Sequence, residues 1–289
     1  MAIQNPSTWG WIHVRDATQQ IGAATADEYW HDARRHDAIP MVRRIGLADL
    51  RDALARGWRD FLEYRTDVIF LCVLYPLLGL LLARVASGYE LLPLLFPLAA
   101  GFALLGPLAA VGLNEMSRRH EIGEQVGWRD AFQVLRAPSI GSIALLGFAL
   151  IAIFLLWLVA AEIIFRTTLG PTPPATLAAF ASDVLTTSAG WTMIALGCGI
   201  GFLFALLVLA ISVVSFPLLL DRDIGINAAV GTSLRVMRAN PTVIAAWGLI
   251  VAVLLVIGSL PLLLGLAIVL PVLGHATWHL YRKVIVDPR

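Results

Sequence analysis

From residue 67 to residue 281 the chain alternates between long apolar runs nearly free of Asp, Glu, Lys and Arg and short charged segments. A helix rises 1.5 Å per residue and the hydrocarbon layer of a bilayer is about 30 Å thick, so roughly 20 uncharged residues make one crossing. Read as lengths, the runs predict spans at about 67–86, 91–113, 140–163, 190–219, 241–258 and 262–282. The last two come from one block. Ala239 to Tyr281 carries no Asp, Glu, Lys or Arg over 43 residues, twice the length one crossing needs, so it must fold back, and Gly258, Ser259 and Pro261 supply the breakers. Ser87 to Glu90 forms the tight turn between the first two spans. Glu162 and Arg166, four apart on one helical face, are placed to pair at the outer boundary.

The segments between spans also carry a pattern. Leu47, Leu50, Leu54, Trp58, Phe61 and Leu62 share one face of a helix that has Arg51, Arg56, Arg59 and Glu63 opposite, which predicts an amphipathic helix in the interface plane. Gly57-Trp58-Arg59-Asp60 recurs as Gly127-Trp128-Arg129-Asp130, and Arg235 to Pro241 echoes Gln133 to Pro138. The expectation is one unit used three times, an amphipathic cytoplasmic helix leading into a transmembrane hairpin. The fold class is therefore all-α: a polytopic membrane helical bundle of six transmembrane helices as three hairpins. Residues 1–44 form a polar N-terminal cytoplasmic tail and 45–286 the transmembrane domain.

Composition agrees with lipid as the main solvent. With 58% apolar residues and 14% charged among 289, and a mean hydropathy of +0.79, the chain holds more apolar surface than a soluble core of this size hides. A formal net charge of +1 gives no concentrated basic surface for nucleic acid. The first 44 residues contain no apolar core of signal-peptide length, so no cleaved targeting segment is expected. Cys72 and Cys198 both lie inside apolar runs, where neither a disulfide nor a thiolate is favoured. Of 21 basic residues, nine fall in 1–66, four in 114–141, three in 221–241 and three in 282–289. Only Arg84 and Arg166 lie on the other side of the predicted topology, so both termini are expected in the cytoplasm of a bacterial inner membrane.

Candidate chemistry is sparse. His275 and His279 lie four residues apart on one face of the last predicted span, a ligand spacing that suits haem or a metal. The alternative is a belt in which Trp278, Tyr281, Arg282 and Lys283 anchor the helix while His275 hydrogen-bonds a neighbour. His31 and His36, beside Asp32 and Asp37, sit in the polar tail, where a solvated segment outweighs a metal site. Arg118 and Arg119 close the second span with Asn114 and Glu115, and Asp221 and Arg222 close the fourth with Asp223. Together with Trp278 and Arg282 they mark the cytoplasmic interface, pairing with one another or with headgroups. Gly197 and Gly201 allow a close helix contact. Pro76, Pro97, Pro107, Pro217 and Pro271 imply kinks with locally freed carbonyls. No acidic residue falls near a predicted midplane, and the sequence contains no P-loop, nucleophile elbow, zinc-protease helix or dinucleotide fingerprint.

MVRRIGLADLRDALARGWRD (Met41 to Asp60), LNEMSRRHEIG (Leu113 to Gly123), Leu220-Asp221-Arg222 and LGHATWHLYRK (Leu273 to Lys283) resemble a family of proteobacterial predicted integral membrane proteins of unknown function. The resemblance covers about residues 40 to 286. Members sometimes carry a cytochrome c oxidase subunit I label, although the oxidase subunit resembles a bundle of about twice as many spans with its ligand histidines distributed among them. The resemblance implies a membrane bundle and, through that label, an association with respiratory complexes. The leading expectation is a non-enzymatic scaffold, assembly factor or accessory subunit, with membrane lipids and other membrane proteins as partners. The alternatives are a small-molecule or lipid transporter or channel, and a haem- or metal-binding redox subunit using His275 and His279.

Overall fold

The computed structural model describes residues 40–64, 93–172, 176–260 and 265–286. The predicted first span, the Ser87 to Glu90 turn, Pro76, Pro261, and the tail with His31 and His36 lie outside them. Met41–Val42 (β1) pairs antiparallel with Ile285–Val286 (β2), so the two ends of the described chain meet. Helix α1, Leu47–Tyr64, follows. Among the described residues four helices are long and apolar enough to cross a membrane: Phe96–Glu121, Ile140–Thr168, Ser188–Asp221 and Pro241–Ser259.

The first of these is segmented. It runs as α2 (Leu95–Phe102), a 3-10 turn (Ala103–Leu105), α3 (Gly106–Ala109) and α4 (Val111–Glu121). Pro107 near the start of α3 donates no hydrogen bond, so the chain re-enters the helix there. A nine-residue 3-10 helix, Trp128–Arg136, leads to α5, Ile140–Thr168. At its far end Arg166 Nε donates to Glu162 Oε1 at 2.5 Å, the pairing their spacing predicts. Short α6, Leu177–Thr186, sits in the connection between α5 and α7 and is capped by Thr176, whose hydroxyl accepts from Ala179 N. Helix α7, Ser188–Ser212, is followed by a two-residue break and α8, Ser215–Asp221. Pro217 explains the break: it cannot donate to Val213, and the turn lets it fall within the first turn of a new helix. Helices α9 (Ile226–Ala239), α10 (Pro241–Ser259) and α11 (Leu266–Val284) complete the fold.

Much of the long helices' surface has no protein against it. Only 28% of the most apolar window of α5 and 22% of that of α10 is buried within the chain, and Phe148, Leu156, Leu249 and Val256 stand exposed. Hydrocarbon is the solvent that accommodates such faces. Packing between helices relies on aromatic contacts with small residues. Trp157 donates its indole N–H to Pro97 O at 2.9 Å, and its ring lies where a Cβ on Gly201 would come within 3.1 Å. Gly197 has nothing within 4 Å of that position, so of the two glycines only Gly201 makes a close contact.

Helix α1 does not lie across the bundle. Its contacts step from Asp49 with Lys283, through Asp60 with His279, to Tyr64 with His275, so it runs antiparallel along α11. The face it buries is Leu50, Ala53, Gly57, Asp60 and Phe61, while Leu47, Trp58 and Leu62 are exposed. The sequence grouped all these apolar positions on one face. The structure divides them, because small Ala53 and Gly57 let α1 approach α11 closely and draw the buried stripe toward their side of the helix.

A Cβ at Gly57 would stand 2.6 Å from Ala276 N and 2.7 Å from Val272 O, both backbone atoms that cannot swing aside. Gly57→Ala is therefore expected to lower stability by about 1–3 kcal/mol through overpacking, outweighing the roughly 1 kcal/mol that Ala gains over Gly inside a helix. Gly197→Ala, with open space around it, should leave the melting temperature unchanged or raised. Thermal melts of the purified protein in detergent check both signs.

Candidate functional site

The site is built where α1, α4 and α11 meet. The 3-4 spacing that buries Ala53 and Gly57 carries Asp60 inward as well, and Asp60 is 5% exposed. Its Oδ2 accepts from Ser117 Oγ at 2.6 Å and stands 2.9 Å from His279 Nε2. Ser117 Oγ also lies 2.8 Å from Nδ1 of His275, which is fully buried, and the His275 ring hydrogen-bonds the Leu113 backbone. Ser117 has one proton for two partners. The shorter, charge-assisted bond to the carboxylate takes it, so Nδ1 of His275 donates to Ser117 in turn. One carboxylate oxygen thus ties a histidine and a serine on two other helices, and reaches a second histidine through the serine.

Burial opposes the charge of Asp60, but the hydrogen bonds from His279 and Ser117 and the nearby imidazoles outweigh it, holding the carboxyl below its ordinary value. Tyr64, one turn on, lays its ring 6.1 Å from that of His275 and 5.6 Å from that of His120. Burial raises the Tyr64 hydroxyl well above its usual range, and among the described residues that hydroxyl has no hydrogen-bond partner. A cleft of about 540 Å³ opens beside it, lined also by Glu63, His120, Glu124 and Gln125. The side-chain amide of Asn114, 1% exposed, likewise finds no partner among the described residues.

Around this centre the charges pair. Trp278 Nε1 donates to Glu121 Oε2 at 2.9 Å, and Arg282 Nε to Glu121 Oε1 at 3.0 Å. Tyr281 donates to Asp221 Oδ2 at 2.6 Å, and Arg282 Nη1 stands 3.6 Å from the same oxygen. Glu115 receives Arg118 and Arg119 together, each at 2.7 Å. Arg222 Nε lies 4.0 Å from Asp221. Lys283 reaches both Asp49 and Asp52, and these contacts help to hold the two carboxyls below their ordinary range; for Asp49 the Gly46 backbone N–H is the larger cause, for Asp52 the lysine.

All the residues singled out at the interface therefore come together at one end of the bundle, and His275 and His279 share Asp60. The sequence did not single out Asp60, Ser117 or Glu121. Their signal was periodic: Ala53, Gly57 and Asp60 form one stripe, and Ser117 and Glu121 fall one turn apart on α4. Among the described residues no group of three His, Cys, Asp or Glu is placed to hold a metal ion. An imidazole bound to haem or a metal would have to share its ring with the Asp60 and Ser117 contacts described above.

Residues 95–221, from α2 to α8, match the family described as predicted integral membrane protein, DUF2189. It is a family without an assigned function, and the match agrees with the resemblance carried by the sequence motifs. No curated protein matches the chain, and neither does any solved structure.

Removing a buried partner leaves the others unsatisfied. Asp60→Ala is expected to cost about 3–5 kcal/mol, whereas breaking the exposed Arg56–Asp52 pair should cost no more than about 0.5 kcal/mol. Because folding depresses the Asp60 carboxyl, its stabilisation is complete above the unfolded value of 3.8 and is lost as pH falls through the lower folded value. Melts from pH 7 to pH 2 should show that acid loss, below about pH 4, in the wild type and a smaller one in Asp60→Asn.

Proposed function

We propose that this multi-pass integral membrane protein is a non-enzymatic component of the bacterial cytoplasmic membrane, serving a membrane complex as scaffold, assembly factor or accessory subunit. The carrying observation is the clamp of α1 on α11 through Asp60, Ser117, His275 and His279. A polar cluster committed to holding three helices together makes a rigid platform at one end of the bundle, and rigidity is what a docking partner requires.

The proposed topology has six spans with both termini inside. The four apolar helices are joined by the run at 67–86 and by α11, and α1, the Trp128–Arg136 helix and α9 each precede an apolar run as the cytoplasmic leaders of three hairpins. The contacts of Glu121 with Trp278 and of Asp221 with Tyr281 put the ends of α4, α8 and α11 at one level, and the sequence's basic excess falls in the segments on that side. A second reading, a small-molecule or lipid transporter or channel, has support from the helix breaks at 103–110 and 213–214, since interrupted helices expose backbone groups where a path can run.

Purification of the tagged protein from native membranes in mild detergent is expected to recover a second membrane protein in fixed ratio. Recovery of the free species alone would sink the accessory-subunit reading. Solute or lipid flux in proteoliposomes above the empty-vesicle rate would favour the second reading. In the same preparation no Soret band is expected; its appearance would assign His275 and His279 to haem.

A further inference from the structure

The connection between α5 and α7 lies at the end of the bundle away from the polar cluster. Ser139 Oγ donates to Leu219 O, which puts the start of α5 beside α8, and α5 then carries the chain roughly 43 Å to Thr168. Helix α6 rests there on the two long helices by one side. Phe180 meets Phe165 edge-on, with ring centroids 6.2 Å apart. A side chain at Gly190 would collide with the Asp183 and Val184 carbonyl oxygens, and Trp191 donates its indole N–H to Leu185 O at 3.1 Å.

These contacts hold α6 to a narrow range of depth. Trp157 lies against Gly201 on the antiparallel α7, so Phe165, two turns further along α5, stands opposite about residue 193. The contact at Gly190 is about 5 Å from that level, and neither end of α6 extends more than about 5 Å along its own axis beyond Phe180 or Val184. Glu162 and Arg166, the charged pair that ends the apolar run of α5, stand on either side of Phe165 in the chain. The whole of α6 therefore lies close to the level at which charge first appears.

Around its axis α6 is divided. At 100° per residue, Leu177, Ala181, Leu185 and Ala178 fill an arc of roughly 100° that adjoins the inward pair Phe180 and Val184, while Ser182, Thr186 and Asp183 lie beyond it. All seven residues outside the inward pair are exposed, Leu177 and Leu185 by 58% and 60%. The apolar arc thus begins on the side that meets protein and continues off it.

We infer that the Leu177–Ala181–Leu185 face of α6 is a membrane-docking surface that rests on the acyl chains just beneath the headgroups, with Ser182, Asp183 and Thr186 turned to water. Continuity selects this occupant: Val159 and Ile163 on α5 and Leu196 on α7 are exposed and apolar, so the lipid-covered faces of both long helices run up to α6. A second copy of the chain would gain little, because an apolar side chain loses nothing by staying against acyl chains. Headgroup phosphate is not the attraction, since residues 167–220 contain no Lys or Arg. Trp191, 59% exposed with its N–H tied to Leu185 O, is placed as an aromatic at the boundary. The inference rests on the reading of α5 and α7 as membrane spans.

Nitroxide labels on the full chain in phosphatidylcholine vesicles test it, in a Cys72→Ala/Cys198→Ala background whose thermal melt matches wild type. Labels at Ala181→Cys and Leu185→Cys should collide with oxygen, relative to a water-soluble nickel complex, several-fold more often than labels at Asp183→Cys and Thr186→Cys. Leu177→Cys replaces either of the first two if its melt is lowered. Exchanging half of the lipid for phosphatidylglycerol should leave the ratios unchanged; an oxygen preference that appears only then overturns the apolar docking. Equal access of nickel to all four labels overturns the proposal by placing α6 in water, and equal preference for oxygen does so by submerging it. Labels at 181 and 185 shielded from both reagents also overturn it, showing protein on that face. A label at Leu156→Cys, on the exposed face of α5, separates the two readings: nickel access there would refute the membrane span itself.

Discussion

The close approach of α1 to α11 is the contact on which the polar half of this protein depends, and it is made by residues with almost no side chain. Gly57 and Ala53 on one helix and Ala276 on the other leave so little between the backbones that a single added carbon would collide with Ala276 N. That proximity is what brings Asp60 within 2.9 Å of His279 and lets Ser117 bridge to His275. The steric and electrostatic parts act as one device. Move the helices apart by the width of a methyl group and a buried carboxylate, a buried imidazole and a serine lose their partners together, at a penalty of several kcal/mol.

Why the device is polar follows from the solvent. In water the exposed faces of α5 and α10 would drive the helices together, but in lipid an apolar side chain gains little by leaving acyl chains for another helix. Close packing and hydrogen bonds must then hold the bundle. The two halves of the molecule divide along these lines. Toward α5, α7 and the loop that joins them, contacts are aromatic rings against glycine, as with Trp157 at Gly201. Toward α1, α4 and the end of α11, they are charge-assisted hydrogen bonds, with Glu115, Glu121, Asp60 and Asp221 each holding basic or aromatic partners.

Lengths were legible in the sequence because hydrocarbon thickness sets them: 140–163 became Ile140–Thr168, 190–219 became Ser188–Asp221, and 241–258 became Pro241–Ser259. Where charge was used to end a span, the reading stopped short. The helix expected to close at 113 continues to Glu121, because Asn114, Glu115 and Ser117 are buried against the protein rather than facing lipid. The candidate site was half visible. Two histidines four apart announced themselves, but Asp60 was hidden among arginines, tryptophan and leucine, and only the small residues at 53 and 57 marked which side of α1 turns inward. Ser117 left only its spacing from Glu121, since its importance comes from α4 crossing α11, a fact of tertiary structure.

The Gly-Trp-Arg-Asp motif shows what kind of information such a short repeat carries. Residues 57–60 lie in the middle of an α-helix, whereas 127–130 form the start of a 3-10 helix where Asp130 caps the chain. The motif therefore does not encode a secondary structure. What both copies share is a direction: the carboxylate finds donors within the fold, and the neighbouring guanidinium is left at the surface. That direction has a physical basis. An acid drawn into the fold needs donors such as histidine, serine or a backbone N–H, while a guanidinium at the surface keeps its hydration at little cost. The recurring motif thus records which side of each segment turns toward the protein and which turns outward.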